Sequence, residues 1–395
     1  MTMLNEFIDR IRAASADGTP LVIRGGGSKD FYGEPVQGAL LDTRALTGVL
    51  SYEPSELVVT VRAGTPLAEL EAVLAQQNQC LPFEPPHFAW QGDGASATVG
   101  GMVAAGLSGP ARASVGCVRD YVLGVGLING RGEQLQFGGQ VMKNVAGYDV
   151  SRVLAGSLGT LGLITELSLK VLPLAPAEAT LEFTCTQAEA LALLNGWGGQ
   201  PLPLNASAWI AEAAAPDAPD SAPRPGVLWL RLRGAVAAVE SACRSLGGLG
   251  GQLRAPEQAQ PVWAALRDQR LPFFTDAVAR GLALWRVSVP QTAPVLALPG
   301  QPLVEWHGGL RWYALPADQA DAVRAAARQV GGHATLFVAP PGAATDAAPP
   351  RFDALSAPLA RIHEGLRRSF DPAGIFNPGR QYARAAIAAT ADVAS

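Results

Sequence analysis

Cysteine is scarce in this chain and widely scattered. Cys80, Cys117, Cys185 and Cys243 form neither a C-x-x-C pair nor an iron–sulfur run. Structural zinc and a resident iron–sulfur cluster are therefore not expected, and the four read as small, partly buried thiols of a reducing compartment. The four histidines, His87, His307, His333 and His363, have no H-x-H or H-E-x-x-H spacing that would bring two imidazoles to one centre, so no metal site is expected. Charge is thin, at 16% of residues with a net −4, and without a dense Lys/Arg run nucleic acid is not an expected partner. No apolar run reaches about eighteen residues, the length a spanning helix needs. The opening "MTMLNEFIDRIRAASADG" sets Leu4, Phe7, Ile8 and Ile11 at helical spacing around Glu6 and Asp9, which is no secretory signal. A cytoplasmic location follows as an expectation, with any membrane contact peripheral.

What the chain does have is core and glycine. Hydrophobic residues make up 48% of its 395 positions, which predicts a folded protein of about two to three domains. "PLVIR", "LVVTVRAG" and "YVLGVGLI" read as strands. In "TPLAELEAVLAQQ", Thr65 is the expected cap and Pro66 the first helical residue, with Leu67, Leu70, Val73 and Leu74 on one face. Asn129-Gly130 predicts a hairpin, and Pro173 ends the strand "GLITELSLKVLP", where a domain boundary is placed. Beyond it "VLWLRLRG" and "LWRVSVP" alternate with Ala/Leu helices in an α+β pattern. A final helix, "APLARIHEGLRRSF", precedes "DPAGIFNPGR".

Three glycines directly after a strand, in "LVIRGGGSKDFYG", suggest a turn or a phosphate cradle. A G-x-G-x-x-G fingerprint would need glycine where Asp30 stands. A Walker loop would need glycine before Lys29, where Ser28 stands. Two further glycine-dense stretches, "ASATVGGMVAAGLSGP" and "MKNVAGYDVSRVLAGSLGTLGLITE", point instead to one extended ligand gripped by main chain at several places.

Taken together, "RGGGSK", "TVGGMVAAG", "VRDYVLGVGLINGRGE", "KNVAGYDVSRVLAGSLGTLGLITE" and "FDPAGIFNPGR" resemble the FAD-binding domain of the vanillyl-alcohol-oxidase, or PCMH, type. Within it they resemble most the FAD-binding subunits of glycolate oxidase, over residues 1 to about 382. The resemblance implies an α+β fold. It divides the chain into an FAD-binding domain of two α+β subdomains at 1–173, an α+β cap domain at 174–351 with Ala/Pro loops near 211–226 and 339–351, a C-terminal helix and flavin-contacting turn at 352–382, and a flexible tail at 383–395.

It also implies a first FAD contact at Arg24, Gly25, Gly26, Gly27, Ser28 and Lys29, and a second at Thr98, Val99, Gly100 and Gly101. A third contact is implied at Gly156, Gly159, Thr160, Gly162 and Ile164, with Asn377 against the ring. No histidine stands in the glycine loop, so the FAD is expected to be noncovalent. The Gly-Glu-His-Gly cluster of catalytic relatives is absent. The implied function is that of one subunit of a glycolate-oxidising 2-hydroxy-acid dehydrogenase, whose partners are a histidine-bearing flavin subunit and an iron–sulfur subunit, with peripheral contact at the inner face of the cell membrane through the complex. Two alternatives stay open: a self-sufficient FAD oxidoreductase using a tyrosine or His87 as base, and a flavin-poor scaffold.

Overall fold

The computed structural model describes residues 3–88, 96–139, 149–212, 225–340 and 349–382. The chain forms two compact units. The first comprises Met1–Leu107, Cys117–Pro173 and Ala354–Ser395, and the second Ser108–Gly116 and Leu174–Asp353. The tail at 383–395 and most of both Ala/Pro loops lie outside the described residues.

In the first unit, helix α1 (Met3–Asp17) buries Phe7, Ile8 and Ile11 of the predicted stripe together with Ala14, while Leu4 is only partly buried. Strand β1 (Leu21–Arg24) pairs in parallel with β2 (Ala39–Asp42), and Leu21 also bridges to Phe376. The C-terminal segment is thus built in beside the first strand: Leu21 N–H donates to the Ile375 carbonyl and Asn377 N–H to the Leu21 carbonyl. Ile375 and Phe376 share one core with Ile11, Leu21, Leu41, Ile128 and Leu163.

A second layer is antiparallel. Strands β3 (Val49–Glu53), β4 (Val58–Arg62), β6 (Val122–Ile128), β7 (Gln134–Gly138) and β8 (Leu163–Lys170) run in the order β3-β4-β8-β6-β7. A small pair, β5 (Gln79–Cys80) with β9 (Leu172–Pro173), stands apart from that sheet, and helices α2 (Leu67–Ala75), α3 (Val99–Ala105) and the C-terminal helix Ala357–Phe370 also belong to the unit.

Two local expectations shift. The cap of α2 is Pro66, one residue later than expected, because Thr65 is fully buried with its hydroxyl accepting from Gly48 N–H. The 129–133 turn does join two strands, but its left-handed residue is Gly132. Gly130 is bare for another reason: a Cβ there would stand 2.6 Å from the Asp371 carboxylate. Asn129 shapes the turn itself, its Oδ1 accepting from the N–H groups of Arg131 and Glu133.

The second unit is one antiparallel sheet. Strands β10 (Ala177–Thr186), β11 (Leu204–Ala211), β12 (Pro225–Gly234), β13 (Gln252–Arg254), β14 (Ala283–Ser288), β15 (Leu303–Glu305), β16 (Leu310–Leu315) and β17 (His333–Val338) run in the order β13-β10-β12-β11-β15-β16-β14-β17. Segment Ser108–Gly116 contributes the short helix α4 (Arg112–Val115). Helices α5 (Gln187–Gly198) and α6 (Val236–Gly247) bury leucines against Trp209, Leu228 and Leu230. Two more, α7 (Pro256–Arg267) and α8 (Pro272–Ala279), follow, and α9 (Ala320–Gln329) sets Val323 and Ala327 against Trp285 and Leu336. Both units are α+β, as expected. Among the described residues no helix is long and apolar enough to cross a membrane.

Candidate functional site

In the first unit a cavity forms where the glycine loop after β1 meets the start of α3 and the loop before β8. It brings together Arg24, Gly25, Gly26, Gly27, Ser28, Lys29, Thr98, Gly100, Gly101, Gly159, Gly162, Ile164 and Asn377. Thirteen of the anticipated residues therefore line one cavity. The main-chain N–H groups of Gly25, Gly26, Gly27 and Ser28 donate to no acceptor among the described residues. Partnerless donors in a row are costly unless a ligand or water takes them, and a bare loop of this kind suits a doubly charged pyrophosphate.

The bareness of the loop has a second cause, which spacing does not reveal. A Cβ on Gly26 would stand 1.6 Å from the Ser96 carbonyl oxygen, and one on Gly25 2.4 Å from Thr98 Oγ1. The loop is pressed against the approach to α3. Thr98 caps that helix, its hydroxyl accepting from Gly101 N–H at 3.2 Å. Gly27 takes left-handed backbone at φ 80°, and its missing side chain leaves room for the Arg24 guanidinium, which pairs with Asp30 at 2.6 Å. Arg24 thus braces the loop, and Lys29 reaches over Phe88.

Three anticipated residues are placed elsewhere. Val99 is fully buried and gives its N–H to Thr65. Gly156 and Thr160 line a second cavity of about 440 Å³ against the C-terminal helix Ala357–Phe370, together with His363, Glu364, Arg367 and Tyr382. Asn377 lines both cavities, yet its amide is engaged by main chain: Oδ1 accepts from Ile23 N–H at 2.8 Å and Nδ2 donates to the Leu158 carbonyl at 2.7 Å. It therefore ties the C-terminal turn to two walls of the site.

Arg380, which sequence reasoning passed over, does similar work. Its guanidinium donates to the carbonyls of Lys29, Asp30 and Glu34, holding the far side of the glycine loop. The "NPGR" turn was the available signal, but the arginine's partners lie at the other end of the chain.

No histidine lines the glycine cavity. His87 bonds to Glu71 at 2.9 Å. His363 lines the second cavity, edge-on to Tyr382, and His307 sits in the second unit between two serines. Asp120 accepts from Cys117 N–H and stands 3.9 Å from Arg119, a structural arrangement at the surface. None of the four cysteines forms a disulfide, and all are half-buried.

The fold and this cavity define an FAD-binding protein of the PCMH type, and residues 2–138 match the FAD binding domain family. A solved alkyldihydroxyacetonephosphate synthase shares the fold, with a TM-score of 0.65 at 16% identity over 95% of this chain and 75% of that one. The chain is 44% identical over 377 residues to glycolate oxidase subunit GlcE of Escherichia coli (strain K12), covering 95% of this chain and 97% of that protein. It is also 33% identical to glycolate oxidase subunit GlcD of Bacillus subtilis (strain 168), over 41% of this chain and 34% of that protein. The D-lactate dehydrogenase of Anaerostipes hadrus is 34% identical over 34% of this chain and 27% of its own length. The chain belongs to the family of the glycolate oxidase GlcE subunit.

Proposed function

We propose that this chain is the FAD-binding subunit of a multi-subunit glycolate oxidase, a 2-hydroxy-acid dehydrogenase that converts glycolate to glyoxylate. Its partners in this reading are a histidine-bearing flavin subunit and an iron–sulfur subunit, and any attachment to the inner face of the membrane comes through that complex. One observation carries the reading: a cavity that offers four main-chain N–H groups without an acceptor among the described residues, and no imidazole. The first half suits a bound dinucleotide flavin, and the second leaves no imidazole there to act as the base in oxidation of a 2-hydroxy acid.

When bound, FAD supplies a two-electron acceptor. The residues of this chain hold it. Gly25 to Ser28 would present their N–H groups to the pyrophosphate. Thr98 and Gly101 on one side, and Gly159, Gly162 and Ile164 on the other, would flank the rest, with Asn377 and Arg380 keeping the walls together. With Ser28 and Lys29 following the glycines, no histidine is available there for a covalent bond, so the FAD is noncovalent.

Expressing the chain alone and with both partner subunits tests this. Alone it should purify yellow, release its flavin on acid denaturation, and reduce no dye with glycolate, whereas the three-subunit complex should turn glycolate over. Strong glycolate turnover by the isolated chain would refute the subunit reading, and a colourless chain within an active complex would leave it a scaffold.

A further inference from the structure

The C-terminal helix, Ala357–Phe370, is held to the first unit by little of its own surface. Of its fourteen residues only Ala360 is buried. Helices in folded proteins owe most of their stability to an apolar face packed on a neighbour. Here the apolar residues Leu359, Ile362, Leu366 and Phe370 recur at helical spacing along one stripe. Phe370 packs on Phe137, with ring centroids 5.9 Å apart, and Leu366 lines the second cavity. The first half of the stripe is open: Leu359 is 49% exposed and Ile362 57%. Val153, which lines the same cavity, is exposed as well.

Gly365 lies inside this helix, where glycine weakens it relative to alanine. A Cβ there would meet nothing within 4 Å, so no contact within the described residues calls for its bareness. Arg361 and Ile362, four and three residues earlier, are its neighbours on the helix surface. The room beside them admits a second backbone. The charge of this face is positive. Arg361 is exposed and has no partner among the described residues. Arg367 and Arg368 share the one carboxylate of the helix, Glu364, each at 2.7 Å, which leaves one positive charge in excess. The Arg368 side chain is 73% exposed and that of Glu364 18%, so the excess faces outward. An apolar surface bordered by carboxylates complements such a face.

The position of the helix narrows the partner. Asn377 and Arg380 line both the second cavity and the glycine cavity, so the two adjoin. Electron transfer weakens steeply with distance, and a protein that takes electrons from a flavin must dock close to it.

We propose that the open face of the C-terminal helix, Leu359, Ile362 and Gly365 with Arg361 and Arg368 at its rim, docks the electron-accepting iron–sulfur partner through an apolar, acid-bordered surface. The character of that surface is set by the helix, and the choice of an iron–sulfur partner rests on the function proposed above.

Binding of the FAD-loaded full chain to the immobilised, cluster-loaded iron–sulfur subunit, followed by biolayer interferometry, tests this. Saturable binding is expected, weaker as salt rises. Ile362→Ser should weaken it tenfold or more, and Arg361→Glu severalfold at low salt and little at high salt. Gly365→Gln separates docking from folding: a helix former placed where there is room should raise the melting temperature while weakening binding tenfold or more. Leu50→Ser, at a comparably exposed leucine on β3, should leave affinity unchanged. All four variants should keep their flavin, the sign that the first unit is folded. Undiminished affinity in the flavin-loaded Ile362→Ser/Gly365→Gln double variant, or binding indifferent to salt, would overturn the proposal. Loss of the histidine-bearing flavin subunit instead of the iron–sulfur one, or self-association of the chain that Gly365→Gln abolished, would overturn the choice of occupant. The subunit reading is separable: a wild-type chain that binds neither partner sinks both, whereas one that binds the iron–sulfur subunit no more tightly than its variants sinks only the docking face.

Discussion

At the scale of single residues, the glycines of the anticipated contacts differ in what they are for, and substitutions should separate them. Gly26→Ala forces a methyl into the Ser96 carbonyl, so the loop must move and flavin retention should be lost. Gly156→Ala meets nothing within 4 Å and carries only the strain of φ 84°, about 1 kcal/mol, so its flavin content should stay near normal. The ratio of flavin absorbance to protein after desalting measures both. Equal flavin content in the two variants would show that the loop's contact with Ser96 is dispensable.

A second residue-scale consequence concerns acid. His307 is held neutral, its pKa lowered from 6.5 to about 4 by burial, so the unfolded chain binds a proton that the folded chain refuses. Its contribution to stability is fully present above pH 6.5 and is lost as pH falls from there towards 4, by up to about 3 kcal/mol. Urea midpoints of the second unit's transition between pH 7.5 and 4 should decline through that window. His307→Asn should flatten the decline.

At the scale of elements, the C-terminal turn behaves as part of the first strand. Asn377 sits at φ 38° with both amide atoms bonded to main chain, so Asn377→Ala removes two buried hydrogen bonds and adds strain. A loss of roughly 2–4 kcal/mol is expected for the first unit, with lowered flavin retention. Asn377→Gly relieves the strain but restores neither bond. Thermal melts should therefore place the glycine variant only about 1 kcal/mol above the alanine one, and a near-wild-type glycine variant would mean that backbone conformation alone is what matters. Neither bond was legible locally, because the partners stand 354 and 219 residues away in the chain. The strands and helices that carry them were legible, since alternation and helical stripes are local properties. The cap of α2 was misplaced by one residue because Thr65 found a distant partner in Gly48.

At the scale of the whole molecule, both ends of the chain meet in one core. Ile375 and Phe376 pack with Phe7, Ile11 and Leu21, and Phe376 bridges β1. A chain ending at Asp353 should therefore fail to assemble the first unit, leaving a protein that binds no FAD and exposes α1's apolar stripe. Flavin content and protease resistance of residues 1–173 would report this, and a truncated chain that still purified yellow would contradict it.

Sequence by itself determined the ligand class. Glycine-dense loops are legible locally, and three of them point to one extended ligand held by main chain; the resemblance that their motifs carry is what names that ligand as FAD. Only the tertiary structure decided which N–H groups have no acceptor among the described residues, that Gly26 is bare because of Ser96, that Asn377 and Arg380 bind main chain, and that Ser114 and His307, 193 residues apart, touch. Those facts depend on which distant segments close on one another, and a pattern within a single segment carries no record of that closure.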